Sequence, residues 1–300
     1  MKARAPGKVV ISGAYAVLYG APALVSAVDR YVLVDSERPA ELVTPEVRAA
    51  LGAAPAPWFD SSALRGARGK LGLGSSAAIV VASLYALACA GGRTESPELA
   101  REILRAALIA HRSAQAGGSG IDVAVSTLGG TLLARRRGEE LELEPVSLPE
   151  RLVFEVWAGG EPASTSELTA SVARLAREAP TRFDSVMAPL RSAAESAAQA
   201  ARSADAESLV AALALQSEGL AKLGDCAGVP IVTREVADLF QAARSEAAVV
   251  LPSGAGGGDI ALFVGERAPS LALCKLRSEL GHERIPLSLG ARGVHLAEPP

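Results

Sequence analysis

Lys70-Leu71-Gly72-Leu73-Gly74-Ser75-Ser76-Ala77-Ala78 runs directly into the apolar stretch 79–87, and its reading decides the fold. Glycine lets backbone approach a ligand closely, serine offers hydroxyls to oxygen or metal, and a helix starting behind them aims free amides at an anion. Taken alone, the segment is either a phosphate cradle or a Gly-Ser turn that caps an alanine-rich helix. The spacing Gly72-x-Gly74-x-x-Ala77 fits a dinucleotide fingerprint, but that fingerprint needs a buried strand just before it. Arg65-Gly66-Ala67-Arg68-Gly69-Lys70 cannot supply one. A Walker A loop is excluded too, because neither Gly7-Lys8 nor Gly69-Lys70 is followed by Ser or Thr.

Two other segments bear on the choice. Residues 5–20 read Ala5-Pro6-Gly7-Lys8-Val9-Val10-Ile11-Ser12-Gly13-Ala14-Tyr15, then Ala-Val-Leu-Tyr-Gly, a strand with a lysine at its start and a glycine-bounded turn. Residues 252–264 read Pro252-Ser253-Gly254-Ala255-Gly256-Gly257-Gly258-Asp259-Ile260, a glycine-dense loop entering an apolar strand. The ordered triple resembles the GHMP kinases, the family of galactokinase, homoserine kinase, mevalonate kinase and phosphomevalonate kinase, and the resemblance spans nearly the whole chain. It implies an α+β GHMP kinase fold with an N-terminal domain like ribosomal protein S5 domain 2, a ferredoxin-like C-terminal domain, and the site between them. The charged, proline-bearing run 139–150 is the boundary candidate, giving a nucleotide-binding domain at 1–150 and a second domain at 151–300.

The resemblance also implies roles. Lys70, Gly72, Leu73, Gly74, Ser75, Ser76 and Ala77 would hold ATP, with Ser76 as the Mg2+ ligand. Lys8 would be the catalytic cation, and Asp122, in Ser119-Gly120-Ile121-Asp122, its paired carboxylate. The plainer alternatives are a solvated lysine before an edge strand for Lys8 and an Asx turn or helix cap for Asp122. Within the family, Lys70 ahead of the loop and His111-Arg112-x-x-Gln115 leading to Gly118-Ser119-Gly120 look like the phosphomevalonate kinase branch. Ser12 and Tyr15, which depart from the Gly-Glu-His pattern of many mevalonate kinases, point the same way. Lys70 and Arg112 would add positive charge for an acceptor that already bears a phosphate. The expected substrate contacts are Ser12, Tyr15, Arg112, Gln115, Ser119, Ser164, Thr165, Ser253, Gly254, Ala255 and Gly256. Mevalonate kinase, or another small-molecule kinase of the family, is the alternative, and a non-catalytic nucleotide sensor on the same fold the third reading. The interval 20–72 is shorter than in many phosphomevalonate kinases; Trp58-Phe59-Asp60-Ser61-Ser62 is a reduced adenine pocket or a plain surface turn.

Composition agrees with a compact enzyme. The 300 residues are 49% hydrophobic and 21% charged, enough to bury substantial cores. A net charge of −3 gives no support for nucleic acid or an anionic membrane as partner, and no apolar run suits a signal peptide or span. A small-molecule substrate, a cytoplasmic location and a monomer or homodimer are expected. Cys89, Cys226 and Cys274 are odd in number and far apart, which reads as buried free thiols, and His111, His282 and His295 lack metal-ligand spacing.

Local patterns place the elements. Two strands are expected within 5–35, then a polar, proline-containing stretch to Trp58. A buried helix follows over 75–90, stopped by Gly91-Gly92. Ser96-Pro97 opens a helix whose apolar stripe is Leu99, Ile103, Leu104, Leu108 and Ile109. Strands 129–133 and 141–146 pair around Gly138, with Arg135-Arg136-Arg137 in a solvated turn. The second half holds a strand at 152–157 and a capping box at Ser164-Thr165-Ser166-Glu167. Alanine-rich helices follow over 183–201 and 206–223, then a helix over 234–243 and a strand at 247–251.

Overall fold

The computed structural model describes residues 1–66, 69–115, 118–159 and 164–297. In chain order, strand β1 (Lys2–Ser12) and β2 (Pro22–Pro39) flank a short 3-10 turn, followed by helix α1 (Pro45–Leu51) and β3 (Pro57–Asp60). The two-residue strands β4 (Arg65–Gly66) and β5 (Gly69–Lys70) lead to helices α2 (Ser75–Ala90), α3 (Pro97–Ala114) and α4 (Ile121–Leu128). Strands β6 (Thr131–Arg137), β7 (Glu140–Val146) and β8 (Val153–Ala158) precede α5 (Thr165–Glu178), α6 (Pro180–Arg202), α7 (Ala206–Ala227) and α8 (Arg234–Arg244). The chain closes with β9 (Val249–Pro252), β10 (Ile260–Gly265), α9 (Leu271–Glu279), β11 (Glu283–Ile285) and β12 (His295–Leu296). One sheet has the order β12-β1-β2-β6-β7, with β3 beside β2; a second has the order β11-β8-β10-β9.

The chain forms two compact units, each discontinuous in sequence. The first comprises residues 1–9, 25–132 and 287–300, the second 10–24 and 133–286. In the first, α2 is buried on nearly every face, as its unbroken apolar sequence requires, and α3 shows the amphipathic pattern of a helix with one wet side. Ser96 Oγ accepts from Leu99 N at 3.1 Å, and Pro97 occupies the first turn. The buried stripe of α3 is Leu99, Ile103, Ala107, Ala110 and His111. Leu104 and Leu108 are only half-buried, and Ile109, expected in the stripe, is 69% exposed. The alanines let α3 lie close to its neighbours, and this moves the buried face one step round the helix.

The polar stretch before Trp58 holds two elements that its composition conceals. Thr44 caps α1 by accepting from Val47 N at 3.3 Å, with Pro45 at the start of the helix. Strand β3 then pairs antiparallel with β2, Phe59 opposite Val34.

In the second unit the central strand β10 is buried along its whole length, and Trp157 stacks on Phe263 at 5.5 Å. Val236, Leu239, Val250 and Leu273 close the core around them. Helices α6 and α7 pack through small residues; a side chain on Gly219 would meet Leu190 Cδ2 at 2.8 Å. Arg135 is not a solvated turn residue. Its guanidinium donates to both Glu195 carboxylate oxygens at 2.7 Å and to Gly20 O at 2.9 Å. Cys89 is buried as expected, whereas Cys226 and Cys274 are half-buried; all three are free thiols. Among the described residues, no helix is long and apolar enough to cross a membrane.

Candidate active site

In the first unit, strand β1 carries Lys8 against the glycine loop. Lys8 N donates to Leu73 O at 2.9 Å, and its ammonium donates to Gly72 O, also at 2.9 Å. The lysine stem lies across Gly74, where a Cβ would come within 2.9 Å of Lys8 Cγ. Only 9% of Lys8 is exposed, so a charge is held under the loop by backbone and side-chain bonds together.

The loop itself ends in Gly74, which is left-handed at φ 77 and begins α2 without any side-chain cap. The first helical bond runs from Ala78 N to Gly74 O at 3.2 Å, so the amides of residues 75–77 have no acceptor inside the helix. No acidic side chain stands in the first turn to compete for them. A capping turn would use a serine side chain there; this helix leaves its positive end open to an anion. Leu73 and Ala77 are buried and anchor the loop, while Gly72, Gly74, Ser75 and Ser76 are half-buried. Lys70 is exposed, in β5 opposite Arg65. This donor set suits a polyphosphate. No group of three His, Cys, Asp or Glu among the described residues could hold a metal, so a divalent ion fits here only with phosphate oxygens as its main ligands and a serine hydroxyl beside them.

Asp122 stands in the first turn of α4, a helix that the sequence reading did not place. Its Oδ1 accepts from Val123 N at 2.9 Å, and Oδ2 lies 3.5 Å from His111 Nε2. Burial opposes ionisation of Asp122. The His111 contact and charge, the Lys8 ammonium and the Val123 amide together outweigh it and hold the carboxyl below its ordinary range. His111 is 2% exposed; burial disfavours its charge, yet Asp122 and then Glu46 raise its pKa overall, against the opposing charge of Arg112. Glu46 is itself buried on α1, and its Oε1 accepts from Gln115 Nε2 at 2.6 Å. Arg112 and Ser119 are half-buried and Gln115 is exposed. Glu46 and the His111–Asp122 contact escaped the sequence reading. The Thr44-Pro45-Glu46 cap was the available signal for the first, and no spacing rule announces the second.

The second unit holds the other expected contacts, and there several hydroxyls serve the framework. Ser12 Oγ donates to Gln216 Oε1 at 2.7 Å, and Gly13 N donates to the same oxygen at 3.0 Å. Tyr15, with φ 60, donates its hydroxyl to Ala255 O at 2.6 Å, and burial pushes its pKa up. Ser253 Oγ accepts from Val10 N at 2.9 Å. Ser12, Tyr15 and Ser253 are each buried; Ser12 bonds to Gln216 on α7, whereas Tyr15 and Ser253 link the first motif to the third glycine loop. Gln216, which no motif marked, holds Ser12 and Gly13 to α7. Gly254 and Ala255 remain half-buried and Gly256 is buried. Ser164 Oγ caps α5 by accepting from Glu167 N at 3.4 Å, and Thr165 is exposed.

A groove in the first unit is lined by Leu42, Trp58, Phe59, Asp60, Ser61 and Arg65. Arg38 stacks over the Trp58 ring at 4.1 Å. The aromatic pair therefore edges a concave surface and is not a bare turn.

Comparison with known proteins gives a consistent result. The family description "GHMP kinases N terminal domain" matches residues 64–130. The chain is 32% identical over 249 residues to the phosphomevalonate kinase of Streptomyces sp. (strain CL190), covering 75% of this chain and 66% of that relative, just under two thirds of its length. It is 27% identical over 288 residues to the mevalonate kinase of Archaeoglobus fulgidus, covering 89% of this chain and 94% of that enzyme. The solved structure of Streptococcus pneumoniae phosphomevalonate kinase in complex with phosphomevalonate and AMPPNP shares the fold, with a TM-score of 0.79, 18% identity, and coverage of 96% and 99% of the two chains.

Proposed function

The chain belongs to the GHMP kinase family, and from that membership we propose that it is an ATP-dependent kinase that phosphorylates the phosphate of 5-phosphomevalonate, giving 5-diphosphomevalonate. The observation that carries this reading is the double attachment of Lys8 to the glycine loop, with its ammonium acting on Asp122. Phosphoryl transfer is mainly positioning and charge stabilisation, and a loop, a fixed cation and a carboxylate are the parts it needs.

In this reading the amides of residues 74–77 and the Ser75 hydroxyl bind nucleotide phosphates, and the groove at Trp58 and Phe59 takes the base. Ser76 would help hold Mg2+, which when bound neutralises charge on the phosphate oxygens. Lys8 stabilises the negative charge that spreads over the migrating group. An acceptor phosphate, with a second pKa of about 6, is already anionic at neutral pH, so Asp122 has no proton to remove. It orients and balances Lys8 instead. Arg112, Lys70, Gln115 and Ser119 remain the proposed contacts for the acceptor in the first unit.

Mevalonate is the second candidate acceptor, because the alignment to a mevalonate kinase covers 94% of that enzyme. ADP release measured separately with 5-phosphomevalonate, mevalonate, homoserine and galactose separates the two. Turnover with 5-phosphomevalonate far above the rest is expected. Preference for mevalonate overturns the acceptor assignment, and tight ATP binding with no turnover on any of the four overturns the kinase reading.

A further inference from the structure

We propose that His111 is a positioning residue for Asp122: buried beside that carboxylate and within the field of Glu46, it sets where Asp122 stands relative to the Lys8 ammonium. The inference rests on the assignment of Lys8 and Asp122 to phosphoryl transfer.

Three features separate His111 from a histidine kept for packing. His282 and His295 each place Nδ1 against a backbone carbonyl, Leu280 O at 3.2 Å and Gly293 O at 2.8 Å. Among the described residues neither ring nitrogen of His111 has a hydrogen-bond partner, and the contact its Nε2 does make is with the Asp122 carboxylate at 3.5 Å. Glu46 Oε2 is likewise buried, with no hydrogen-bond partner among the described residues. Leaving such atoms unsatisfied is costly, and attraction between an imidazolium and the neighbouring carboxylates offsets part of that cost. The second feature is the seat of the ring. His111 lies in the last turn of α3, where the helix end favours a cation, and Gly118 passes so close that a Cβ would come within 2.6 Å of His111 Cε1. The ring is thus confined by backbone on one side. The third feature is the balance of charges from the packed elements. Asp122 on α4 and Glu46 on α1 favour the imidazolium, Arg112 on α3 opposes it, and Lys8 on β1 acts on the shared carboxylate.

With Oδ2 against His111 and Oδ1 accepting from Val123 N, the Asp122 carboxylate is restrained against rotation. Loss of His111 therefore lowers turnover without removing any group that touches substrate. In His111→Gln, kcat is expected to fall about 10- to 100-fold, while KM for ATP and for the acceptor stay within about twofold. The alkaline limb of the kcat profile should shift or vanish. Wild-type kcat, or a lowered kcat with the wild-type pH profile, overturns the proposal. Site-resolved NMR titration of the histidines supplies a readout that needs neither activity nor the folding of His111→Gln. In the wild-type protein His111 should titrate above the ordinary histidine value of about 6.5, and in Asp122→Asn it should move down. Identical titration in the two proteins overturns the pairing. If the wild-type chain transfers phosphate to none of the acceptors, the kinase reading fails while the NMR result still decides the His111–Asp122 coupling.

Discussion

Lys8 is a buried cation whose stem rests on a glycine and whose head is bonded to Gly72 O. In Lys8→Met the stem is kept and the charge removed. The fold should survive, shown by an unchanged circular dichroism spectrum, while kcat drops by at least about 100-fold. Asp122 and His111 make stability depend on pH in opposite senses. The depressed Asp122 pKa gives stability that is present above its unfolded value and lost as pH falls through the folded one. The raised His111 pKa gives stability that is complete below its unfolded value and lost as pH rises through the folded one. Urea midpoints should therefore pass through a maximum between the two transitions, and Asp122→Asn should flatten both flanks. At this scale Lys8 and Asp122 were legible because glycine, proline and serine neighbours mark them. His111 and Glu46 were not, since their meeting depends on how α1, α3 and α4 pack.

Among the elements, α2 is the one whose local sequence leaves least freedom. Gly74 serves its start twice, through a left-handed backbone and through the space it gives Lys8. Gly74→Ala should cost about 1–2 kcal/mol from backbone conformation alone, and should raise KM for ATP as the loop and lysine separate. Denaturant midpoints and steady-state kinetics check the two parts. The α6–α7 pair makes the same point through packing. Gly219→Val pushes a branched side chain into Leu190 and should destabilise the protein by about 1–3 kcal/mol, despite the better helix propensity of valine. Helices α2, α3, α5, α6 and α7 were readable from periodicity, caps and alanine content. Helix α1 and strand β3 were not, because a seven-residue helix and a four-residue strand carry too few apolar positions to show a period.

For the molecule as a whole, the two units are interleaved along the chain, and the last described residues return to the first unit. Strand β12 pairs antiparallel with β1, Ala3 opposite Leu296. Residues 287–297 also contribute bonds from Asp29 N to Ser288 O at 3.1 Å, Gly130 N to Ala291 O at 2.8 Å and Val294 N to Thr127 O at 3.1 Å. A chain ended at Pro286 loses these and the backbone bonds to Asp29 and Ser26 side chains. At about 1 kcal/mol for each lost bond, the first unit should be destabilised by roughly 5 kcal/mol, seen as early hydrogen exchange in β1 and α4. The amino-acid sequence by itself determined the glycine loop with its helix, the lysine strand and the order of the three motifs. Those follow from backbone freedom, capping and hydrophobic period, all of which act within a few residues. Only the tertiary structure decided that His111 stands against Asp122 with the Glu46 charge acting on it, that Tyr15 and Ser253 bond across to the third glycine loop and the first strand, and that Gln216 holds Ser12 and Gly13. Such contacts are fixed by the packing of elements remote in sequence, a distance that no local spacing encodes.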